Sequence, residues 1–181
     1  MNVFILNSGR CGSTTFIEAC RHIANYSAGH ETRLRKTGAE RLAYPARHIE
    51  ADNRLAWLLG RLDAAYGDRA FYVHLQRDRD ATAASFVRRA DFGIMRAYRD
   101  GVLLGGEPGQ DALDLAHDYL ATVDANIRRF LADKTQTMDF HLERAQDDFQ
   151  QFWRRIGASG DLNAALAEWT RRHNASPADP A

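Results

Sequence analysis

Short apolar runs of strand length alternate with longer stretches of helical periodicity along the chain. Continuous apolar runs predict strands at residues 2–7 and 70–75, because a strand that is covered on both faces shows no polar alternation. A third strand is predicted at residues 135–140, where polar and apolar residues alternate. Strands that alternate with helices are typical of an α/β domain with a mainly parallel central sheet flanked by helices.

Apolar residues spaced three and four apart predict helices in the segments between and after these strands. The predicted helices cover residues 13–20, 54–66, 81–89, 111–131, 144–156 and 161–172. We expect residues 1–175 to form a single domain, followed by a disordered tail at residues 176–181 that contains proline and alanine.

The composition argues against several classes of protein. The 181 residues suit one domain, and the 24 basic and 24 acidic residues cancel, which disfavours general affinity for nucleic acid. Apolar runs stay well below the roughly 20 residues of a membrane span, and the start does not resemble a signal peptide, so we predict a cytoplasmic protein. Cys11 and Cys20 are too few for a disulfide framework and lack companions at metal-ligand spacing, so no metal site is expected.

A turn rich in small residues follows the first predicted strand and leads into a helix. Gly9 and Gly12 let the backbone bend, the helix start presents amide donors together with the hydroxyls of Ser13 and Thr14, and Arg10 adds a cation. These features are typical of a loop that holds a phosphate. The alternative is an ordinary strand-to-helix turn in which Ser13 is the N-cap.

Three familiar anion loops do not match this turn. A Walker A loop requires a lysine after its last glycine, and Ser13 stands there. A dinucleotide loop requires a third glycine, but the turn contains only Gly9 and Gly12. No arginine follows Cys11 at the distance that a cysteine phosphatase needs. A divergent nucleotide kinase therefore stays as a disfavoured alternative.

Two motifs together resemble the sulfotransferase family. The run Arg-Cys-Gly-Ser-Thr at residues 10–14 resembles the family's 5′-phosphosulfate loop, which combines a basic residue, a small residue, glycine, Ser or Thr, and threonine. Arg77, at the end of a predicted strand, and Ser85, eight residues later, resemble its 3′-phosphate site. The late Gly-x-x-Gly-x-x-Lys loop of the family's cytosolic members is not reproduced, because Asn163 follows Gly157 and Gly160 where the lysine would stand.

This resemblance implies a P-loop-like sulfotransferase architecture that needs no metal. The co-substrate would be 3′-phosphoadenosine-5′-phosphosulfate (PAPS), released as 3′-phosphoadenosine-5′-phosphate (PAP). The acceptor would be a hydroxyl or amine of a small molecule, lipid or carbohydrate. A non-catalytic protein that binds PAP or another nucleotide is the competing class. The resemblance implies these co-substrate-binding residues: Arg10, Cys11, Gly12, Ser13, Thr14, Thr15, Arg77 and Ser85.

The resemblance also implies catalytic roles near the same loop. Arg10 would stabilise charge on the transferred group, and a base would come from the segment after the first helix. In that segment Glu31 is the favoured base and His30 is the alternative, since either carboxylate or imidazole can accept a proton near neutral pH. A competing interpretation pairs Glu31 with Arg33 or Arg35 on the surface. The sequence does not indicate the acceptor or the oligomeric state.

Other polar residues have simpler interpretations. Asp52 is predicted to be an N-cap, whereas His48 and Glu50 are weaker candidates for an acceptor pocket. His74 lies inside a predicted strand and is interpreted as a core histidine with its hydrogen bonds satisfied. The three tryptophans, of which Trp169 is the last, are interpreted as packing residues.

Overall fold

Five parallel strands form the centre of the computed structural model, which describes residues 1–171 of the chain. The order across the sheet is β2-β3-β1-β4-β5. The strands are β1 (Asn2–Leu6), β2 (Ser27–His30), β3 (His48–Ala51), β4 (Ala70–Gln76) and β5 (Thr137–His141). The α/β class with a parallel sheet in a single domain is therefore confirmed.

The first strand occupies the middle of the sheet. Val3 pairs with Ile49 of β3 on one side and with Phe71 of β4 on the other. Every residue of β1 is buried, as its continuous apolar run predicts. Because the side chains of a strand alternate, Val3 and Ile5 enter one hydrophobic core while Phe4 and Leu6 enter a second core on the opposite face.

Helices cover both faces of the sheet. The described residues contain α1 (Ser13–Cys20), α2 (Leu59–Tyr66), α3 (Arg79–Val87), α4 (Gly93–Ala97), α5 (Ala112–Leu131), α6 (Ala145–Arg155) and α7 (Leu162–Ala167). Helices α1, α6 and α7 contribute to the first core, whereas α2, α3 and α5 contribute to the second. Among residues 1–171, no helix combines the length and the apolar character needed to cross a membrane.

Two strands were not predicted from the sequence. Strand β2 contains only small and polar residues, and β3 carries His48 and Glu50 although all of it is buried. The side chains of these two residues hydrogen-bond each other at 2.9 Å, which lowers the cost of burying them. An apolar run is therefore not required for either strand.

Helix boundaries differ most from the prediction at two places. The helix predicted at 54–66 begins as a 3₁₀ turn at Asn53–Trp57, which Asp52 caps by accepting from the amide of Arg54, and only α2 is α-helical. The last predicted helix ends at Ala167 and continues as a 3₁₀ turn. The predicted domain end at residue 175 and the predicted tail at 176–181 lie outside the described residues.

Candidate functional site

A cleft of about 910 Å³ opens at the carboxyl ends of the strands. Its walls come from the loop after β1, the start of α1, the segments after β2 and β3, and the region from Arg77 through α3 to α4. Ligands of open parallel α/β sheets bind at this edge, because the loops of neighbouring strands meet there. The two motifs found in the sequence therefore face the same space.

The loop after β1 depends on backbone conformations that favour glycine. Gly9 and Gly12 have φ values of +92° and +91°. A Cβ atom at Gly9 would lie 2.9 Å from Nδ2 of Asn53, and one at Gly12 would lie 2.8 Å from Cδ1 of Leu142. Between them Arg10 also has a positive φ of +60°, so the loop turns sharply enough to bring its backbone beside the cleft.

The N-terminus of α1 is open to the cleft. Gly12 is the N-cap, and no side chain accepts a hydrogen bond at this cap. The first amides of a helix have no partner within the helix, so those of Ser13, Thr14 and Thr15 can donate to an anion. The alternative in which Ser13 is the N-cap is wrong, because its Oγ lies 3.0 Å from Nε2 of His30 instead.

The side chain of Cys11 points away from the cleft. Only 1% of Cys11 is exposed, and its Sγ lies 3.5 Å from Oδ1 of Asn7 in the core. Burial raises the pKa of the Cys11 thiol to about 12, so the group stays protonated near neutral pH. Cys11 can therefore offer a bound anion its backbone only, and the exclusion of a cysteine phosphatase agrees with its surroundings.

This pKa gives a direct prediction for thiol chemistry. At pH 8 the Cys11 thiol should react with Ellman's reagent at least about a hundredfold more slowly than free cysteine, because the thiolate is the reacting form. The rate should reach that of free cysteine once the protein is unfolded in guanidinium. Rapid labelling of the native Cys20→Ala variant would contradict this account of the loop.

The second motif contacts the first through two hydrogen bonds. Nε of Arg10 donates to Oγ of Ser85 on α3 at 3.0 Å, although the two residues are 75 positions apart. Nη1 of Arg77 donates to the backbone carbonyl of Arg10 at 3.1 Å. Because β1 and β4 are neighbours in the sheet, the residues that follow them form a single polar surface.

Four arginines concentrate positive charge at this surface. Burial lowers the pKa of Arg10, and the charges of Arg89, Arg77 and Arg88 lower this pKa further. Within residues 1–171, no carboxylate lies within ion-pair distance of Arg77, Arg88 or Arg89. Uncompensated guanidinium groups in one cleft favour a ligand with several negative charges.

The two candidate bases lie at the opposite side of the loop, where His30 ends β2 and Glu31 follows it directly. His30 contacts Ser13, as described above, and Oε1 of Glu31 forms an ion pair with Nη1 of Arg54 at 3.2 Å. The surface pairing of Glu31 with Arg33 or Arg35 is not found. Arg54 could not be predicted from the sequence, since it reaches Glu31 only because β2 and β3 are adjacent.

A buried network holds the turn that carries these bases. Glu50 is completely buried and accepts hydrogen bonds from the amide of Thr32 at 2.6 Å and from its Oγ1 at 2.7 Å. Nε2 of His48 contacts Glu50, and its Nδ1 lies 2.8 Å from Oγ of Ser27. Neither His48 nor Glu50 lines the cleft, so these residues stabilise the turn through Thr32 and do not form an acceptor pocket there.

Trp169 and Leu142 add an apolar area to the cleft. Trp169 packs against Phe16, Phe140 and Phe149, as a packing residue should, but it also lines the cleft. Its buried Nε1 has no hydrogen-bond partner among the described residues. Within the same residues, no group of three or more His, Cys, Asp or Glu side chains could hold a metal ion.

The comparisons with known proteins identify the fold. No model of a known protein family matches the sequence, and no curated protein matches it. A solved structure, "Sulfotransferase Domain from the Curacin Biosynthetic Pathway", superposes with a TM-score of 0.66. The match covers 92% of this chain and 76% of that chain, at 16% sequence identity. The protein therefore has a sulfotransferase fold, as the two motifs led us to expect.

Proposed function

We propose that the protein is a sulfotransferase that moves the sulfuryl group of PAPS to a hydroxyl or amine acceptor. The observation that carries this proposal is that one cleft contains both the open N-terminus of α1 and the arginine cluster around Ser85. PAPS has two separate anionic groups, the 5′-phosphosulfate and the 3′-phosphate. Its acceptor would be a small molecule, lipid or carbohydrate.

The residues present fit the two ends of this ligand. The amides and hydroxyls of Ser13 and Thr14 would hold the 5′-phosphosulfate, and Arg77 with Ser85 would hold the 3′-phosphate. Arg88 and Arg89 line the same part of the cleft. They would supply the cationic groups that other sulfotransferases take from the late glycine-rich loop.

The nucleobase end has a matching environment. Thr15, Leu142 and Trp169 line the cleft on the side of β5 and provide apolar contact area. Trp169 also packs against Phe140 and Phe149, which hold its ring at the wall of the cleft. We assign this apolar area to the adenine ring of the ligand.

The chemistry assigned to the chain is stabilisation of charge and removal of a proton. Bound PAPS supplies the sulfuryl group. Arg10 lines the same cleft as the amides at the start of α1, and we assign both to the stabilisation of charge on the departing bisphosphate, to which such donors typically contribute about 3–4 kcal/mol. We favour His30 as the base, because it contacts Ser13 directly whereas Arg54 engages the Glu31 carboxylate.

His30→Ala should lower kcat by at least about a hundredfold, since positioned general bases contribute about 10²–10⁴. Affinity for PAP should stay within about twofold. His30 contacts only the side chain of Ser13, so its loss leaves the backbone amides of the loop free to bind the nucleotide. Glu31→Gln serves as the comparison and should lower kcat by less than about tenfold. The reverse order of the two effects would make Glu31 the base.

Calorimetric titration with PAP, ADP and ATP tests the proposal. We expect PAP to bind about a hundredfold more tightly than ADP, a difference of about 2.7 kcal/mol, and Arg77→Ala to remove this preference. Arg129→Ala, at an exposed arginine outside the cleft, should leave it unchanged. Equal affinity for PAP and ADP would refute the proposal. A preference for ATP with Mg²⁺ would support the kinase alternative, and PAP binding without turnover would support a non-catalytic nucleotide-binding protein.

A further inference from the structure

A second and smaller cavity of about 250 Å³ lies between β4 and the helices α3 and α5. Its lining comes from the end of β4, from the first turn of α3, from one side of α5 and from Ser8. Arg77 is the residue that lines both this cavity and the larger cleft. The cavity is therefore a neighbour of the proposed co-substrate site and not a part of it.

The inner wall of the cavity is apolar. It consists of Leu120, Val123 and Ile127 of α5, and none of these side chains is more than 7% exposed. An apolar cavity of about 150 Å³ is already large enough to hold benzene in another protein. The volume here therefore suits a small ring or a branched chain with one polar substituent.

The rim of the cavity carries positive charge. Nη2 of Arg79 donates to the carbonyl of His117 at 3.0 Å, and Arg77 donates to the carbonyl of Arg10. Within residues 1–171, no carboxylate lies within ion-pair distance of either guanidinium. Arg128 also lines the cavity, but its charge is compensated, because its Nε lies 2.8 Å from Oδ2 of Asp124.

A histidine at the base of the cavity adds a polar group without adding charge. His74 is 4% exposed and its Nε2 lies 3.3 Å from Oδ1 of Asp124. Burial lowers the pKa of His74, so the imidazole is neutral near neutral pH. The interpretation of His74 as a core histidine with partners agrees with this geometry, and the charge of the cavity comes from its arginines.

We propose that this cavity binds a small organic carboxylate with an apolar body, of the size of benzoate, and that it is coupled to the larger cleft through Arg77. The planar guanidinium groups of Arg77 and Arg79 match a carboxylate, and the three aliphatic side chains of α5 match the body. An anion held by Arg77 on one side weakens its attraction for an anion on the other. Because coupling between sites is reciprocal, each ligand lowers the affinity for the other.

The test is a titration of the ¹⁵N-labelled protein with benzoate, followed by NMR. The backbone amides of Asp124 and Arg128 should shift, while those of Ser13 and His30 in the larger cleft should not. Benzoate should bind at least about tenfold more tightly than benzyl alcohol, which lacks the charge, and than acetate, which lacks the body. Shifts that are concentrated at Ser13 and His30, or equal affinity for all three compounds, would overturn the proposal.

Two matched variants separate the cavities. Arg79→Gln changes only the smaller cavity and should weaken benzoate binding at least about tenfold, whereas Arg88→Gln changes only the larger cleft and should leave it within about twofold. An unchanged affinity in Arg79→Gln would overturn the assignment. This comparison is made without nucleotide, so it holds whether or not the protein binds PAP.

A second titration tests the coupling. Saturating PAP should lower the affinity for benzoate at least about threefold, and benzoate should lower the affinity for PAP by the same factor. If PAP binds and the two affinities are independent, the coupling through Arg77 is refuted. If PAP does not bind, the proposed function fails while the comparison of Arg79→Gln with Arg88→Gln still decides the site.

Discussion

Replacing Arg10 with alanine should lower the kcat of sulfuryl transfer by about 10²–10³, which corresponds to about 3–4 kcal/mol of transition-state stabilisation. The reason is the position of its guanidinium, which is partly buried, lines the cleft and is fixed by the hydrogen bond to Ser85. Affinity for PAP should fall less than kcat, because Arg77, Arg88 and Arg89 remain. The measurement is release of PAP from PAPS with an acceptor that the native protein uses.

Arg10→Lys is the matched control. Lysine keeps the charge but has no fork that can hold Ser85 and a ligand at the same time, so it should recover only part of the lost rate. A variant Arg10→Ala with native kcat and weaker PAP binding would show that Arg10 only binds the nucleotide. If the Arg10→Lys variant had the same kcat as the native protein, the contact with Ser85 would be irrelevant to turnover.

Asp52→Ala should lower the free energy of unfolding by about 3–5 kcal/mol. Asp52 is completely buried, and its Oδ2 lies 2.5 Å from Nη2 of Arg41, which is itself only 5% exposed. Without Asp52 a guanidinium would stay in the core without a counter-charge. The loss also frees the amide of Arg54, which Asp52 accepts at 2.8 Å, so the turn that carries the partner of Glu31 should loosen.

Urea unfolding measures this difference, and an exposed ion pair provides its control. Asp133→Ala removes a carboxylate that is 65% exposed and pairs with Arg129, so it should change stability by about 0.5 kcal/mol or less. Replacing Arg41 and Asp52 together with apolar residues should recover much of the loss, because no charge is then left buried. Equal effects of Asp52→Ala and Asp133→Ala would contradict this explanation.

The parts of the fold that could be predicted are the buried strands whose residues are mostly apolar. β1 and β4 are mostly apolar, apart from Asn2, His74 and Gln76, because helices cover both faces, so an apolar run identifies each of them. The spacing of Arg77 and Ser85 predicts a second anion site near the loop after β1, and this assignment stays a prediction. Arg10 and Ser85 contact each other across 75 positions of sequence, so both motifs face one cleft.

The parts that could not be predicted depend on pairs of polar groups that satisfy each other after folding. Hydrogen bonds between Ser27 and His48 and between Thr32 and Glu50 allow polar residues to be buried in β2 and β3. Gly29 is a further residue whose role could not be predicted from the sequence. Its φ is ordinary, yet a Cβ atom would lie 2.3 Å from Cγ2 of Thr32, so the requirement for glycine comes from a neighbour that the sequence does not indicate.

The central position of β1 has a consequence for the order in which the chain folds. Val3 needs Ile49 and Phe71 as neighbours, and both leave the ribosome long after it. Each of these parallel pairings closes a long loop, and such non-local contacts make folding slow. Until β3 and β4 arrive, β1 is an apolar segment with two open edges, the kind of surface through which incomplete chains aggregate. The strand that organises the sheet is thus made before both of its neighbours and stays incomplete until β4 has been made.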